Sequence, residues 1–379
     1  MKRFKLVAVF SALALVFAAC TSDDGEGTTT EAASGTTEAA PDTTEGSTET
    51  TVDLTQGEES VLDAVIARGE LNCGTRDALP GFAVLTDDGD HVGFDSDFCR
   101  VIAAAVLGDA GAVNHVDLET SDRFTALQSG QIDVLVRNTT WTASRDGNES
   151  ANFVTTTYYD GQGMMVASDS GFESTADMDG VIVCVAKGTT TEGNAAAEAT
   201  RLGVDWEVRP FDDTDLIQEA FLAGQCDGWS SDTSQLVGLR SVYPDGADAL
   251  TILPEVFSKE PLGPAVLDGD TQWAQAVNWA VLATIQAEEW GITSGNVDDF
   301  LTSEDSNIVK FLGGEFETDD GTTILDPGIG LPTDFAYQVI SQVGNYGEIF
   351  EANLTPLGLQ RGPNALWFDG GLMYAPPYR

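Results

Sequence analysis

Val181-Ile-Val-Cys-Val-Ala-Lys-Gly-Thr-Thr-Thr-Glu192 runs a buried apolar strand through a glycine into the start of a helix. The unbroken apolar run Val181–Val185 fits a strand covered by other elements, and the polar residues after Gly188 fit a helix first turn. The pattern then repeats: helix from about Thr190 to Leu202, strand Trp206–Val208, helix Asp213–Ala223, short strand Asp227–Ser230 and helix Asp232–Val242. Strands alternating with helices indicate α/β architecture.

Upstream lies a similar series. Leu71–Thr75, Val113–Leu118 and Ile132–Val136 are expected strands, and Ser121–Ser129 an expected helix. Phe94–Gly108 is a further helix, with Phe98, Val101, Ile102, Ala105 and Val106 on one face. Phe153–Val166, Leu250–Leu253 and Pro264–Leu267 are extended. Thr271–Glu289 is a long amphipathic helix carrying Trp273, Val277, Val281 and Ile285 in register, with smaller helices near Val297–Leu301 and Thr333–Val343. The Gly-, Pro- and aromatic-rich stretch Gly344–Arg379 is expected to wrap the surface, its end covering the first lobe. Two series, with the chain crossing once and returning, give two α/β lobes joined by two strands. Residues 57–161 and 264–379 form the first and 162–263 the second. The hinge falls near Tyr159–Gly163 and Leu262–Ala265. Ligands of open α/β sheets sit beyond the carboxyl ends of strands, and a cleft between two lobes offers two such edges.

The amino-terminal region assigns a compartment. Lys2, Arg3 and Lys5 precede an apolar run, Leu6 to Ala19, too short to span a membrane, and small residues lead into Cys20. That is the layout of a signal peptide (1–20) with Cys20 as the expected lipidation site and membrane anchor. Residues 21–56 are Thr-, Glu- and Ser-rich, without Lys, Arg or an aromatic, and are expected to be a disordered acidic tether. The remaining stretch of about 320 residues suffices for two lobes with proper cores. A net charge of −45 excludes a nucleic-acid partner, since phosphates would be repelled. Against that background an arginine in a cleft stands out. Besides Cys20, Cys73, Cys99, Cys184 and Cys226 form an even set in an exported chain, which suggests two disulfides. Sequence alone does not choose among the three pairings. Cys73–Cys99 with Cys184–Cys226 is preferred because each bridge then lies inside one lobe. Without CxxC spacing and with two histidines, no metal site is expected.

Three segments carry chemistry. Asp133-Val-Leu-Val-Arg-Asn-Thr-Thr-Trp-Thr-Ala-Ser-Arg145 opens from a strand into a hydroxyl- and amide-rich loop. Arg145 supplies a planar fork for a carboxylate, beside the neutral groups of Asn138 and Thr140. Gly188–Glu192 opens a helix whose first-turn N–H groups suit an anion, and Thr189 with Glu192 fits a capping box. Asp232 ends a short strand where a helix begins, as a simple N-cap or as an acceptor for an ammonium group. A carboxylate clamp on one lobe and an ammonium acceptor on the other describe a zwitterionic amino acid.

These residues sit in longer matching stretches: LPGF (Leu79–Phe82), GFDSDFCR (Gly93–Arg100), DRFTALQSG (Asp122–Gly130), RNTTWTASRD (Arg137–Asp146), YYDGQG (Tyr158–Gly163), VCVAKGTTTE (Val183–Glu192), SKEPLGPAV (Ser258–Val266), GNYGEIF (Gly344–Phe350), RGPNALW (Arg361–Trp367) and GGLMYAPPYR (Gly370–Arg379). Through them the chain resembles the ABC-transporter solute-binding proteins for polar amino acids, of the general L-amino-acid-binding type. The resemblance implies a two-lobed periplasmic-binding-protein-like α/β fold that closes on one ligand by a hinge. It implies that Arg145 takes the ligand carboxylate, helped by Thr140 and the N–H groups at Thr190–Thr191. Asp232 with Asn138 takes the ammonium, and Trp141 is carried along in the same loop. The expected partners are an amino acid and an ABC permease; the protein is expected to act as a monomer, without a cofactor and without catalysis. Arg76 departs from relatives, which tend to carry a small polar residue there. Pointing into the cleft it favours glutamate or aspartate; paired outside with Asp77 or another acid it leaves specificity broad. A dehydratase-like enzyme of the same fold and a structural surface lipoprotein are the rival readings, although no Ser-His or Cys-His arrangement is visible.

Overall fold

The structure, a computed structural model, describes residues 60–319 and 321–379. The expected signal peptide, Cys20 and the tether lie outside the described residues.

Two five-stranded mixed sheets organise the chain. In the first, Leu71–Thr75 pairs in parallel with Val113–Asp117 and with Val134–Leu135, and Ala265–Leu267 and Ala151–Phe153 complete it antiparallel. In the second, Val181–Ala186 pairs in parallel with Trp206–Phe211 and Gly228–Asp232. Gln162–Ala167 runs antiparallel between Gly228–Asp232 and Leu250–Ile252. The chain passes between the sheets on Tyr158–Asp160 and returns on Glu260–Leu262, and these two crossings pair antiparallel with each other. The return crossing thus lies upstream of the expected Leu262–Ala265.

The preferred bridges form: Cys73–Cys99 ties the interior strand Leu71–Thr75 of the first sheet to helix Phe94–Leu107, and Cys184–Cys226 ties two segments of the second lobe. Helix Phe94–Leu107 is buried along most of its length, and helix Thr271–Glu289 packs beside it with Trp273, Val277, Val281 and Ile285 enclosed.

The carboxyl-terminal region does more than wrap the surface. Asn345 and Glu348 form a capping box that starts helix Tyr346–Asn353, and Tyr346 and Phe350 are wholly buried. They pack in edge-to-face contact with Phe94, which also meets Tyr158 of the crossing strand. The Tyr346 hydroxyl donates to the Thr157 carbonyl at 2.8 Å. Asn364 grips the crossing itself: its Oδ1 accepts from the Tyr159 N–H at 2.6 Å, and its Nδ2 donates to the Tyr159 carbonyl at 3.2 Å. At the chain end Met373, Ala375 and Tyr378 are buried, while Trp367, Phe368, Leu372 and Tyr374 remain exposed.

Helix Thr233–Ser241 of the second lobe lies against the Leu79–Pro80 turn of the first. A Cβ at Gly238 would stand 2.6 Å from the Pro80 carbonyl oxygen, a separation that real atoms do not sustain. Replacing Gly238 by leucine is therefore expected to hold the lobes apart, enlarging the radius of gyration in solution X-ray scattering while the lobes stay folded. Removing one bridge, by Cys73→Ala with Cys99→Ala, is expected to cost about 3 kcal/mol in denaturant unfolding.

Candidate ligand-binding cleft

The carboxyl ends of Gly228–Asp232 and of the strand leading into Arg137 converge on a cavity of about 30 Å³, room for about two waters, between the lobes. Asn138 and Arg145 line it from the first lobe, and Thr190, Thr191 and Asp232 from the second. A larger mouth of about 530 Å³ adjoins it, sharing Thr120, Arg145, Thr189 and Thr190.

Each wall has a local cause. Arg145 sits on the short helix Ala143–Asn148, capped by the Thr142 hydroxyl, and its Nη1 donates back to the Thr140 carbonyl at 2.6 Å. Its guanidinium stacks over the Phe124 ring at 5.3 Å. Asn138 adopts a left-handed φ of 29°, held by its N–H donating to the buried Asp95 carboxyl at 2.7 Å. Its amide donates to Gln235 across the cleft at 3.0 Å, and its Oδ1 is buried without a partner.

At Thr189 the expected capping box does not form. The Thr189 hydroxyl donates to the Ala186 carbonyl at 2.6 Å, and Glu192 accepts instead from the Gly188 N–H at 3.3 Å. The first turn of helix Thr190–Leu202 consequently has no side-chain cap, and its residues Thr190 and Thr191 line the cavity, a position in which uncapped N–H groups suit an anion. Thr140 and Thr190 line the cavity, and each hydroxyl donates to Glu260, at 2.7 and 2.8 Å. A hydroxyl has one proton, so toward the cavity these two oxygens act as acceptors.

Arg76, left open between two placements, is 6% exposed and lines the cavity. Its Nη2 donates to Thr214 of the second lobe at 3.4 Å, and its Nε is buried without a partner. Trp141 does not join the site. It is 42% exposed, stacks on Phe153 and donates to Asp146, because the loop turns its ring outward before Arg145 turns in.

Two charged lining residues escaped the sequence reading, together with the neutral Thr120, Ala186, Ser231 and Gln235. Arg123 donates to the Thr120 carbonyl at 2.9 Å and leaves Nη2 buried without a partner. Arg137 donates to the Leu118 carbonyl at 2.8 Å and to Thr120. They were absorbed into an ordinary helix start and strand end. Their rarity in a chain with 17 basic residues was the available signal.

Four guanidinium groups therefore line one cavity, and among the described residues none is ion-paired with a carboxylate. Burial pushes Arg123 down to about 9, with the neighbouring Arg145 charge adding to it. Burial also lowers Arg76, Arg137 and Arg145. Asp232 goes the other way: burial raises its carboxyl well above the ordinary range, the Asp160 and Glu260 charges add to this, and Arg145 and Arg123 oppose it. Its carboxylate makes no side-chain hydrogen bond at the helix it precedes. Asp95, facing Arg76 and Arg137, is raised to about 7, mainly by burial. The arrangement presents anion-seeking donors along one wall and a buried carboxyl seeking a donor on the other.

Residues 71–293 match the model of the bacterial extracellular solute-binding proteins, family 3. The chain is 45% identical over 331 residues to the general L-amino acid-binding periplasmic protein AapJ of Rhizobium johnstonii, covering 86% of this chain and 95% of that one. It is 46% identical over 323 residues to the glutamate/glutamine/aspartate/asparagine-binding protein BztA of Rhodobacter capsulatus, covering 84% and 94%. A solved Brucella ovis ABC-transporter periplasmic binding protein with glutathione bound superimposes with a TM-score of 0.80 at 42% identity, over 85% of this chain and all of that one. The two-lobed architecture, the matched span and these relatives agree: the chain belongs to the bacterial extracellular solute-binding proteins, family 3.

Proposed function

We propose that the protein captures polar L-amino acids outside the cytoplasm, with preference for glutamate and aspartate, and delivers them as a monomer to an ABC permease. The observation that carries this reading is the excess of buried guanidinium over carboxylate in a cavity that also holds Asp232. A dicarboxylic amino acid brings two anionic groups and one cation, which offsets part of that imbalance and has the same sense. Arg145 and the N–H groups of Thr190 and Thr191 take the α-carboxylate. Asp232 and the Asn138 oxygen take the ammonium, with the Thr140 hydroxyl oxygen beside them as an acceptor rather than as the carboxylate donor first expected. Arg76, with Arg137 and Arg123, takes the side-chain carboxylate. Cys20 is the lipid attachment point and residues 21–56 the leash that lets the lobes reach a permease.

The names of the relatives support amino-acid binding. The Brucella relative's glutathione, together with the mouth beside Arg145, favours a second reading in which the ligand is an acidic amino acid extended by a peptide bond. An enzyme is less favoured: His91 and His115 stack on each other rather than lining the cavity, and Cys73, Cys99, Cys184 and Cys226 are all bonded.

Calorimetric titration with glutamate, aspartate, glutamine, asparagine and glutathione tests the assignment; silence across the whole panel removes it. Arg76→Ala is expected to weaken glutamate by about ten- to a hundredfold, the worth of one charge-assisted contact, while weakening glutamine much less. Equal losses would take Arg76 out of the specificity account. Because Asp232 is raised when unpaired, an incoming ammonium lowers it and releases a proton. The Kd for glutamate should therefore rise as pH falls through the raised range in which the unliganded Asp232 takes up a proton, by at most about tenfold per pH unit for one proton. Titrations in two buffers of different ionisation enthalpy measure that proton directly.

A further inference from the structure

Glu260 lies on the strand by which the chain returns to the first lobe, 1% exposed, and is not among the residues that line the cavity. Its Oε2 accepts from Thr140 at 2.7 Å and from Thr190 at 2.8 Å. Its Oε1 accepts from Asn194 Nδ2 at 2.8 Å and from Ser258 at 2.5 Å. Four donors saturate the carboxylate, and they come from both sides of the cleft: Thr140 from the first lobe, Thr190 and Asn194 from the second. Separating the lobes strips this buried anion of the donors on one side, the most costly kind of unmade hydrogen bond. Asn138 to Gln235 and Arg76 to Thr214 also link the two sides without a carboxylate, and Asp160 on the outgoing crossing accepts from Ser234 of the second lobe alone, whereas Glu260 gathers donors from both lobes.

We propose that Glu260 is the closure latch of the molecule, a positioning residue fixed on the crossover that draws one hydroxyl from each lobe to the same carboxylate oxygen. It sets the lobe separation at which Thr140 and Thr190 flank a ligand. Every donor is a protein group, so the latch engages before any ligand arrives and raises the fraction of molecules already closed. A ligand that meets a larger competent fraction binds with a higher apparent affinity. The effect on affinity rests on the amino-acid-binding reading; the effect on lobe separation does not.

The test uses the full chain and two variants. Glu260→Gln keeps an acceptor for the two threonines but turns an amide NH2 against the Asn194 donor. Asn194→Ala removes a donor from the second lobe without altering the cavity lining. Ligand-free lobe separation is read by X-ray scattering and by fluorescence transfer between dyes on the two lobes, and glutamate affinity by calorimetry. Both variants are expected to open the ligand-free molecule, and Glu260→Gln to raise the Kd by about tenfold. Adding Asn194→Asp to Glu260→Gln restores a matched donor and acceptor and should recover most of the closure. Lobe separations equal to the native chain in both variants, with cooperative unfolding retained, would overturn the latch. If Glu260→Gln does not fold, Asn194→Ala decides alone. If the native chain ignores glutamate, the scattering comparison still judges the latch, so the two readings fail separately.

Discussion

Positive charge buried without a protein counter-ion is the constraint around which this molecule is arranged. Arg76, Arg123, Arg137 and Arg145 line a single cavity in a chain whose net charge is −45, yet among the described residues no acid reaches them in an ion pair. Backbone carbonyls, hydroxyls and the Phe124 ring hold them instead. Such partners fix direction without neutralising charge, and the unmet part of the electrostatics is left for whatever enters. Asp232 is the mirror image, a carboxyl kept from water with its nearest cations on the opposite wall.

The fold supplies the rigidity this needs. Each lobe closes its own sheet with a disulfide, and the paired crossings between them are anchored in the aromatic cluster of Phe94, Tyr158, Tyr346 and Phe350. The connection between the sheets is confined to the few residues that belong to neither of them. Gly238 and the Pro80 carbonyl mark how near the lobes come, and the hydrogen bonds at Glu260 oppose their parting.

Repeating apolar runs announced both sheets, and the bounds of helix Thr271–Glu289 followed directly from its stripe of Trp273, Val277, Val281 and Ile285. Local pattern failed where a residue's meaning depends on distant neighbours. Thr189 and Glu192 have capping-box spacing, but each finds a nearer backbone partner. Asn345 and Glu348 have the same spacing, went unread in a Gly-rich stretch, and do form the box. Arg145 stood out because its loop is visibly polar, whereas Arg123 and Arg137 are hidden in segments whose periodicity explains them without a ligand. Glu260 gives no local sign at all, since its four donors come from segments between 2 and 120 residues away.

The grip of Asn364 on Tyr159 has a consequence beyond anchoring. The crossings form a ribbon of only two strands, and such a ribbon leaves main-chain groups on its outer side available to any passing extended segment. By accepting from the N–H and donating to the carbonyl of the same residue, the Asn364 amide imitates the next strand and ends the sheet there. One side chain thereby closes the free edge of the crossing to strand pairing with further copies of the chain.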